Sequence, residues 1–296
     1  MIALTIAIAS YFLLAVVSIT DKFLVSGKIF KPKVFTFYSG VLGGLAILLI
    51  PFFKFSLPGV RGLLVDFSTG ALFILSLFFF YKALRSFEVS RVIPIVGALL
   101  PIFTLILVFL FHPDLRDFGI KEIIAFILLI SGSILIVYER GKKTTRRAFL
   151  LSAFASFLFA LMFFLSKEIY ISQGFLSGFI LIRVGAALTA LLFLLSKEVR
   201  MHIKDQGLKP TKLNFLFISN QGIAAVAGIL QNVAVSFSSI VLLPIVNALQ
   251  GVQYAFVFIF SLFFSRVLKE EVSKRIIFQK IMAIILIGLG IISLFY

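Results

Sequence analysis

The chain has 296 residues, 61% of them hydrophobic and 14% charged, with a mean hydropathy of +1.17, far more apolar surface than a soluble core absorbs. It has no cysteine, and its two histidines, His112 and His202, fall between apolar runs; disulfides, thiolate chemistry and a paired-histidine metal site on one helix face are excluded. The net charge of +16 is scattered through short connections rather than gathered on a soluble face, so nucleic acid is not an expected partner and a lipid bilayer is.

Apolar runs of about 20 residues, enough to span a hydrocarbon layer of about 30 Å, occur at 2–20, 34–53, 63–81, 92–111, 120–138, 148–166, 175–196, 213–236, 239–264 and 276–295. The pattern predicts an all-α integral membrane protein of ten transmembrane helices. Ala7-Ile8-Ala9 imitates a signal-peptidase site, but no basic segment precedes it and the apolar run continues past it, so the first run is expected to stay as a helix. Turn residues and charges mark the connections, for example around Pro58 to Gly62 and His112 to Asp114. The connection near Ser236 to Ser239 is the least marked, because no charge interrupts it.

Internal duplication follows from one segment in particular. Pro94-Ile95-Val96-Gly97-Ala98-Leu99 recurs as Pro244-Ile245-Val246-Asn247-Ala248-Leu249. Phe12, Ala15 and Lys22 match Phe157, Ala160 and Lys167; Gly40 matches Gly185; Ala125 and Gly132 match Ala283 and Gly290. The chain therefore reads as two five-helix repeats, 1–140 and 146–296. Five helices is an odd number, so the second repeat enters the membrane from the opposite side, giving an inverted pair with its solute site near the midplane.

Loop cations set the orientation. Of the 28 Lys and Arg residues, 22 lie in the odd-numbered connections, at 22–33, 82–91, 140–147, 197–212 and 266–280, whereas the even-numbered ones hold Lys54, Arg61, Arg116, Lys121 and Lys167. This predicts odd loops in the cytoplasm and both termini outside, in a prokaryotic inner membrane.

Arg183 is the one cation left well inside a helix, about 12 Å along the seventh at 1.5 Å per residue. It must face the bundle interior, where it either attracts a carboxylate or phosphate or pins neighbouring helices through their carbonyls. Gln221, Ala224, Gly228, Gln231 and Asn232 form a stripe on the eighth helix, and Asn247, Gln250, Gly251 and Tyr254 another on the ninth. Such stripes line a solute cavity or knit helices together. Pro101 is expected to kink its helix, while Pro94 and Pro244 suit helix starts. Lys22 and Lys167, equivalent between repeats, are gate charges or interfacial anchors. All twelve acidic residues fall in loops or toward helix ends, Asp66 being the deepest, so no proton relay is expected at mid-depth, and exchange or facilitated movement is at least as plausible as proton coupling. No acid–base, nucleophile or metal constellation marks an enzyme, and none calls for a cofactor.

With these residues in view, the chain resembles the drug/metabolite transporter superfamily, specifically its ten-helix members with two EamA-like domains. The likeness rests on the duplication, Lys22 and Lys167, Arg183, Tyr81-Lys82-Ala83-Leu84 at the end of the third helix and Pro101-Ile102-Phe103-Thr104 in the fourth. It departs in lacking Trp and in reading Phe111-His112-Pro113 where similar domains carry Gly-Glu, with Glu270-Glu271 as the counterpart in the second repeat. The resemblance implies a permease or exporter of a small polar metabolite working by alternating access; Arg183 favours an anionic or zwitterionic solute. A non-transporting relative, handling lipid or assisting assembly, is the alternative.

Overall fold

A computed structural model describes residues 2–26, 31–87, 89–113, 119–138, 145–205, 207, 209, 211–263 and 274–295. Among them every regular element is helical: α1 (Ile2–Ser26), α2 (Pro32–Gly43), α3 (Val60–Ser86), α4 (Val89–Phe111), α5 (Ile120–Val137), α6 (Arg146–Gln173), α7 (Phe175–Leu191), α8 (Lys197–Asp205), α9 (Lys212–Phe237), α10 (Leu243–Ala248), α11 (Gln250–Phe263) and α12 (Lys274–Phe295). Stretches of 3₁₀ helix prolong α2 over Gly44–Phe52 and α7 over Leu192–Leu195.

Local chemistry explains several boundaries. Pro32 and Pro244 stand in the first turns of α2 and α10, where the missing N–H has no helical partner to lose. Thr145 and Thr211 accept the backbone N–H groups of Ala148 and Asn214 and so cap α6 and α9. Between α6 and α7 a single residue, Gly174, reverses the chain at φ +81°, a conformation only glycine adopts without strain.

Eight spans among the described residues are long and apolar enough to cross a membrane, and Ile95–Phe111 within α4 forms a shorter apolar helix. Burial runs opposite to that of a soluble protein. Small residues fill the interior, with Ala7, Ala15, Ala155, Ala160, Ala227, Ala234 and Ala283 all inaccessible, while Phe52, Leu110, Phe215 and Phe278 are more than two-thirds exposed. Helices associate in lipid through such close approaches, and their large apolar side chains face outward.

The predicted spans differ from the structure in three places. The sixth continues seven residues beyond 166, to Gln173; the ninth is broken, with turns before Leu243 and at Leu249; and part of the connection after the seventh is a short charged helix, α8, whose Val199 is buried. Pro94 lies past the first turn of α4, not at its start. Pro101 sits in mid-α4, which continues through it as helix, and a separate interruption falls at Leu249. Glu270 and Glu271 lie outside the described residues, as do the side chains of Lys22 and Pro94.

Packing is reciprocal between the two halves. α1 packs on α9 and α3 on α6; α1 on α11 and α4 on α6; α5 packs on α12. Within these pairs individual contacts exchange. A Cβ at Gly132 would lie 3.0 Å from the Ala283 carbonyl oxygen, and one at Gly290 would lie 3.2 Å from that of Ala125. Gly97 lies against the Tyr254 ring, and Asn247 bonds Thr104 at 2.9 Å; both contacts join positions that correspond at the spacing of 150. Phe12 meets Phe256 edge-on at 5.0 Å, and Phe157 meets Phe103 edge-on at 5.7 Å.

The connections meet in two sets. Lys31 faces Glu198 at 3.6 Å and Lys33 bonds Ser196, joining the first and seventh connections. The backbone N–H of Ser56, in the second connection, donates to Ser177 in the first turn of α7, next to the sixth connection; His112 pairs with Glu168 at 2.8 Å, linking the end of α4 to α6.

Candidate functional site

Arg183 lies on α7 where α2, α3 and α9 converge. Its guanidinium carbon stands 4.6 Å from the ring centre of Phe73 on α3 and 5.2 Å from that of Phe179 on α7. Gly228 on α9 leaves room for it, since a Cβ there would lie 3.3 Å from Nη2, whereas one at Gly43 on α2 would make ordinary contact, 3.8 Å from Cδ. Among the described residues the guanidinium has two aromatic faces but neither a hydrogen-bond acceptor nor a carboxylate partner. A guanidinium carries five N–H donors in a planar fork.

One turn along α9 from Gly228, Asn232 accepts from the Tyr170 hydroxyl at 2.7 Å and donates to the Gly228 carbonyl at 2.8 Å. Gln231 donates to the Tyr11 hydroxyl at 3.4 Å, and Tyr11 donates at 3.0 Å to the Val246 carbonyl, just before the break at Leu249. Gln221 donates to Ser39 on α2. The amides of the α9 stripe therefore bond α1, α2 and α6, which is the knitting role, while Gly228 supplies the opening beside Arg183.

The second stripe gathers at the α10–α11 break. Asn247, fully buried, donates to Thr104; its Oδ1 and the Oε1 of Gln250 are buried with no hydrogen-bond partner. Tyr254 reaches the Ile93 carbonyl at 3.4 Å. The proposed binding residues thus fall into two neighbourhoods joined by Gln231 and Tyr11, with Arg183 in one and Asn247, Gln250 and Tyr254 in the other.

Lys167 is 4% exposed. Its ammonium donates to the carbonyls of Ser236, at 2.9 Å, and Ser238, at the C-terminal end of α9, where carbonyls lack helical partners and the helix dipole favours a cation. It ties α6 to the chain leading into α10. Its counterpart Lys22 lies in α1 with its side chain outside the described residues.

Two carboxylates contradict the expectation that acidic residues avoid the interior. Asp21 on α1 accepts from Asn220 of α9 at 2.7 Å and from Tyr81 of α3 at 3.3 Å. Asp66 on α3 has no accessible surface and accepts from Gln173 of α6 at 2.6 Å. The sequence reading placed both too near helix ends, because α1 and α3 run longer than their apolar runs. The sign was present in α3, where Asp66, Thr69, Gly70 and Phe73 share one face.

No protein-family model matches the chain, and no curated protein matches it. Among solved structures, one superposes with a TM-score of 0.64 over 98% of this chain and 94% of its own, at 17% sequence identity, and is described only as "Crystal structure of protein". That likeness shows a shared fold and nothing of function.

Proposed function

We propose that the chain is a secondary transporter of a small anionic or zwitterionic metabolite, built from ten membrane-spanning helices in two inverted five-helix repeats, as its resemblance to the drug/metabolite transporter superfamily implies. Arg183 carries the reading: a cation without an ionic partner among the described residues, held where helices of both halves meet. A structural arginine would aim its donors at backbone carbonyls. This one presents them between two rings and two glycines, where an anion completes the site.

Adding α4 and α5 to the eight spans gives ten, and α5, with 18 residues, is about 27 Å long, close to the hydrocarbon thickness. The reciprocal contacts of α5 with α12 and of α4 with α10 and α11 support the duplication. The separation of connections into odd-with-odd and even-with-even neighbours supports the inverted topology, with the cation-rich odd set in the cytoplasm of a prokaryotic inner membrane.

The test is thermal stabilisation of the purified protein by organic acids, amino acids, nucleotide sugars and phosphorylated metabolites, for wild type and Arg183→Gln, followed by saturable flux of any stabilising compound in proteoliposomes. Stabilisation and flux in wild type alone support the proposal. Flux that survives in Arg183→Gln removes the arginine from the site, and no flux for any stabilising compound favours the non-transporting alternative.

A further inference from the structure

Asp66 and Gln173 pair through one hydrogen bond that leaves an oxygen of each without a donor. Gln173 Nε2 donates to Asp66 Oδ1, and the two remaining oxygens, Asp66 Oδ2 and Gln173 Oε1, are both buried without a hydrogen-bond partner. Two buried acceptors on one pair of side chains, one of them ionic and neither with a donor, are unfavourable in a protein interior. A single proton on Asp66 Oδ2 resolves both: the carboxylic acid O–H donates to Gln173 Oε1 while the amide N–H still donates to Oδ1. The result is a closed pair with two hydrogen bonds between α3 and α6.

Its surroundings favour that form. Tyr170 lies on the same helix as Gln173 and within electrostatic reach of Asp66. On α6, Lys167 is engaged by the α9 carbonyls and Glu168 by His112. The charge α7 brings is Arg183, which stacks on Phe73, seven residues or about 10 Å further along the same face of α3. Arg61 and Lys54 are exposed, and Asp21 of α1 and Lys33 of α2 stand toward the far end of α3. Among the described residues no cation bonds Asp66. The contrast with Asp21 is informative, because both its oxygens already receive donors, from Tyr81 and Asn220.

We propose that Asp66 is the coupling-ion site of the transporter, binding a proton that closes α3 onto α6 through Gln173 and releasing it to water when that end of the bundle opens. The inference rests on the transport reading above, but it is read out without any solute. Balance is simple: one proton moves between bulk water and Asp66 Oδ2, and no other bond changes. A proton suits the site better than a metal ion, since two oxygens fall short of the five or six ligands a small cation takes, and no metal-binding cluster occurs among the described residues.

The protein has no cysteine, which makes a second readout clean. Infrared pH titration of the full chain in detergent is expected to show a protonated-carboxyl C=O stretch at neutral pH that disappears in Asp66→Asn and persists in Asp21→Asn. Asparagine at this position keeps the paired amide geometry, so Asp66→Asn is expected to fold. In Thr69→Cys, labelling by a polar maleimide should rise with pH beyond the thiol's own dependence, measured in the Asp66→Asn background, where only that dependence should remain. Absence of the infrared band at neutral pH, its survival in Asp66→Asn, or identical labelling in the two backgrounds overturns the proposal; stabilisation by sodium instead of by protons overturns it in favour of a metal ion.

Discussion

Arg183→Met separates a binding arginine from a structural one, because the two roles predict opposite signs. An arginine at the centre of a membrane helix costs about 2.5–3.5 kcal/mol on insertion scales. Two cation–π contacts, with Phe73 and Phe179, return about 1–2 kcal/mol together. Without hydrogen bonds to close the difference, the ligand-free site is left short by about 0.5–2.5 kcal/mol. Methionine fills similar volume, packs well on aromatic rings and carries no charge. The ligand-free variant should therefore be more stable than wild type by about 0.5–2.5 kcal/mol, each kcal/mol being a rise of roughly 2–4 °C for a chain of this size. It should also lose the stabilisation that wild type gains from an anionic ligand, since each charge-assisted bond contributes about 1.5–3 kcal/mol, or at least tenfold in affinity. Thermal unfolding in detergent, with and without the stabilising compound, reads both effects. A variant that melts below wild type, or that still responds to the ligand, refutes the reasoning.

Other contacts make sharper structural tests. Gly132→Ala should cost about 1–2 kcal/mol, because its methyl would sit 2.7 Å from Ile287 Cγ1 and 3.0 Å from the Ala283 carbonyl, whereas Gly290→Ala, with 3.0 Å to Leu129 and 3.2 Å to the Ala125 carbonyl, should cost clearly less; equal melting temperatures would show that the α5–α12 approach is looser than described. Lys167→Met leaves the Ser236 and Ser238 carbonyls without their donor and should destabilise by about 2–3 kcal/mol, with faster hydrogen exchange confined to the α9–α10 connection, and unchanged exchange there would remove its tying role. A C-terminal reporter that is active only in the cytoplasm should stay silent; activity would reverse the assigned topology.

Much of the fold was legible because its strongest signals are physical lengths and small residues. Apolar runs placed the helices, and Ala125, Gly132, Ala283 and Gly290 marked a helix pair whose close approach only small side chains permit. Arg183 was legible as the one cation inside a run. What the sequence hid were the partners. A carboxylate near the end of an apolar run reads as interfacial, yet α3 begins at Val60 and carries Asp66 inward, and α6 extends far enough for Gln173 to meet it. The amide stripes were visible on their own helices, but which amide bonds a neighbour and which keeps a bare oxygen depends on helix rotation, which periodicity leaves open. The break at Leu249 was equally hidden, for it lies where the second copy of the repeated segment holds Asn247 in place of Gly97.

Under the proposed function, that last difference points to how a duplicated transporter scaffold would acquire a site. At the position where the first half has Gly97, backed by the Tyr254 ring, the second has Asn247, whose amide reaches Thr104; the contact is shared and the chemistry is not. On the spacing that relates Gly40 to Gly185, Arg183 corresponds to Tyr38, which packs in an aromatic group with Phe37, Phe217 and His202. Inverted repeats let a bundle adopt two conformations by exchanging the roles of its halves, and this needs the contacts between helices to be alike in both. A solute site has no such requirement, because the solute itself is asymmetric. The small residues that set helix spacing should therefore match between repeats, while binding groups diverge. Under the proposed function Arg183 and Asn247 are such diverging groups, and so is Asp66, which pairs with an amide of the second half as Asp21 does but lacks the second donor that Tyr81 gives Asp21.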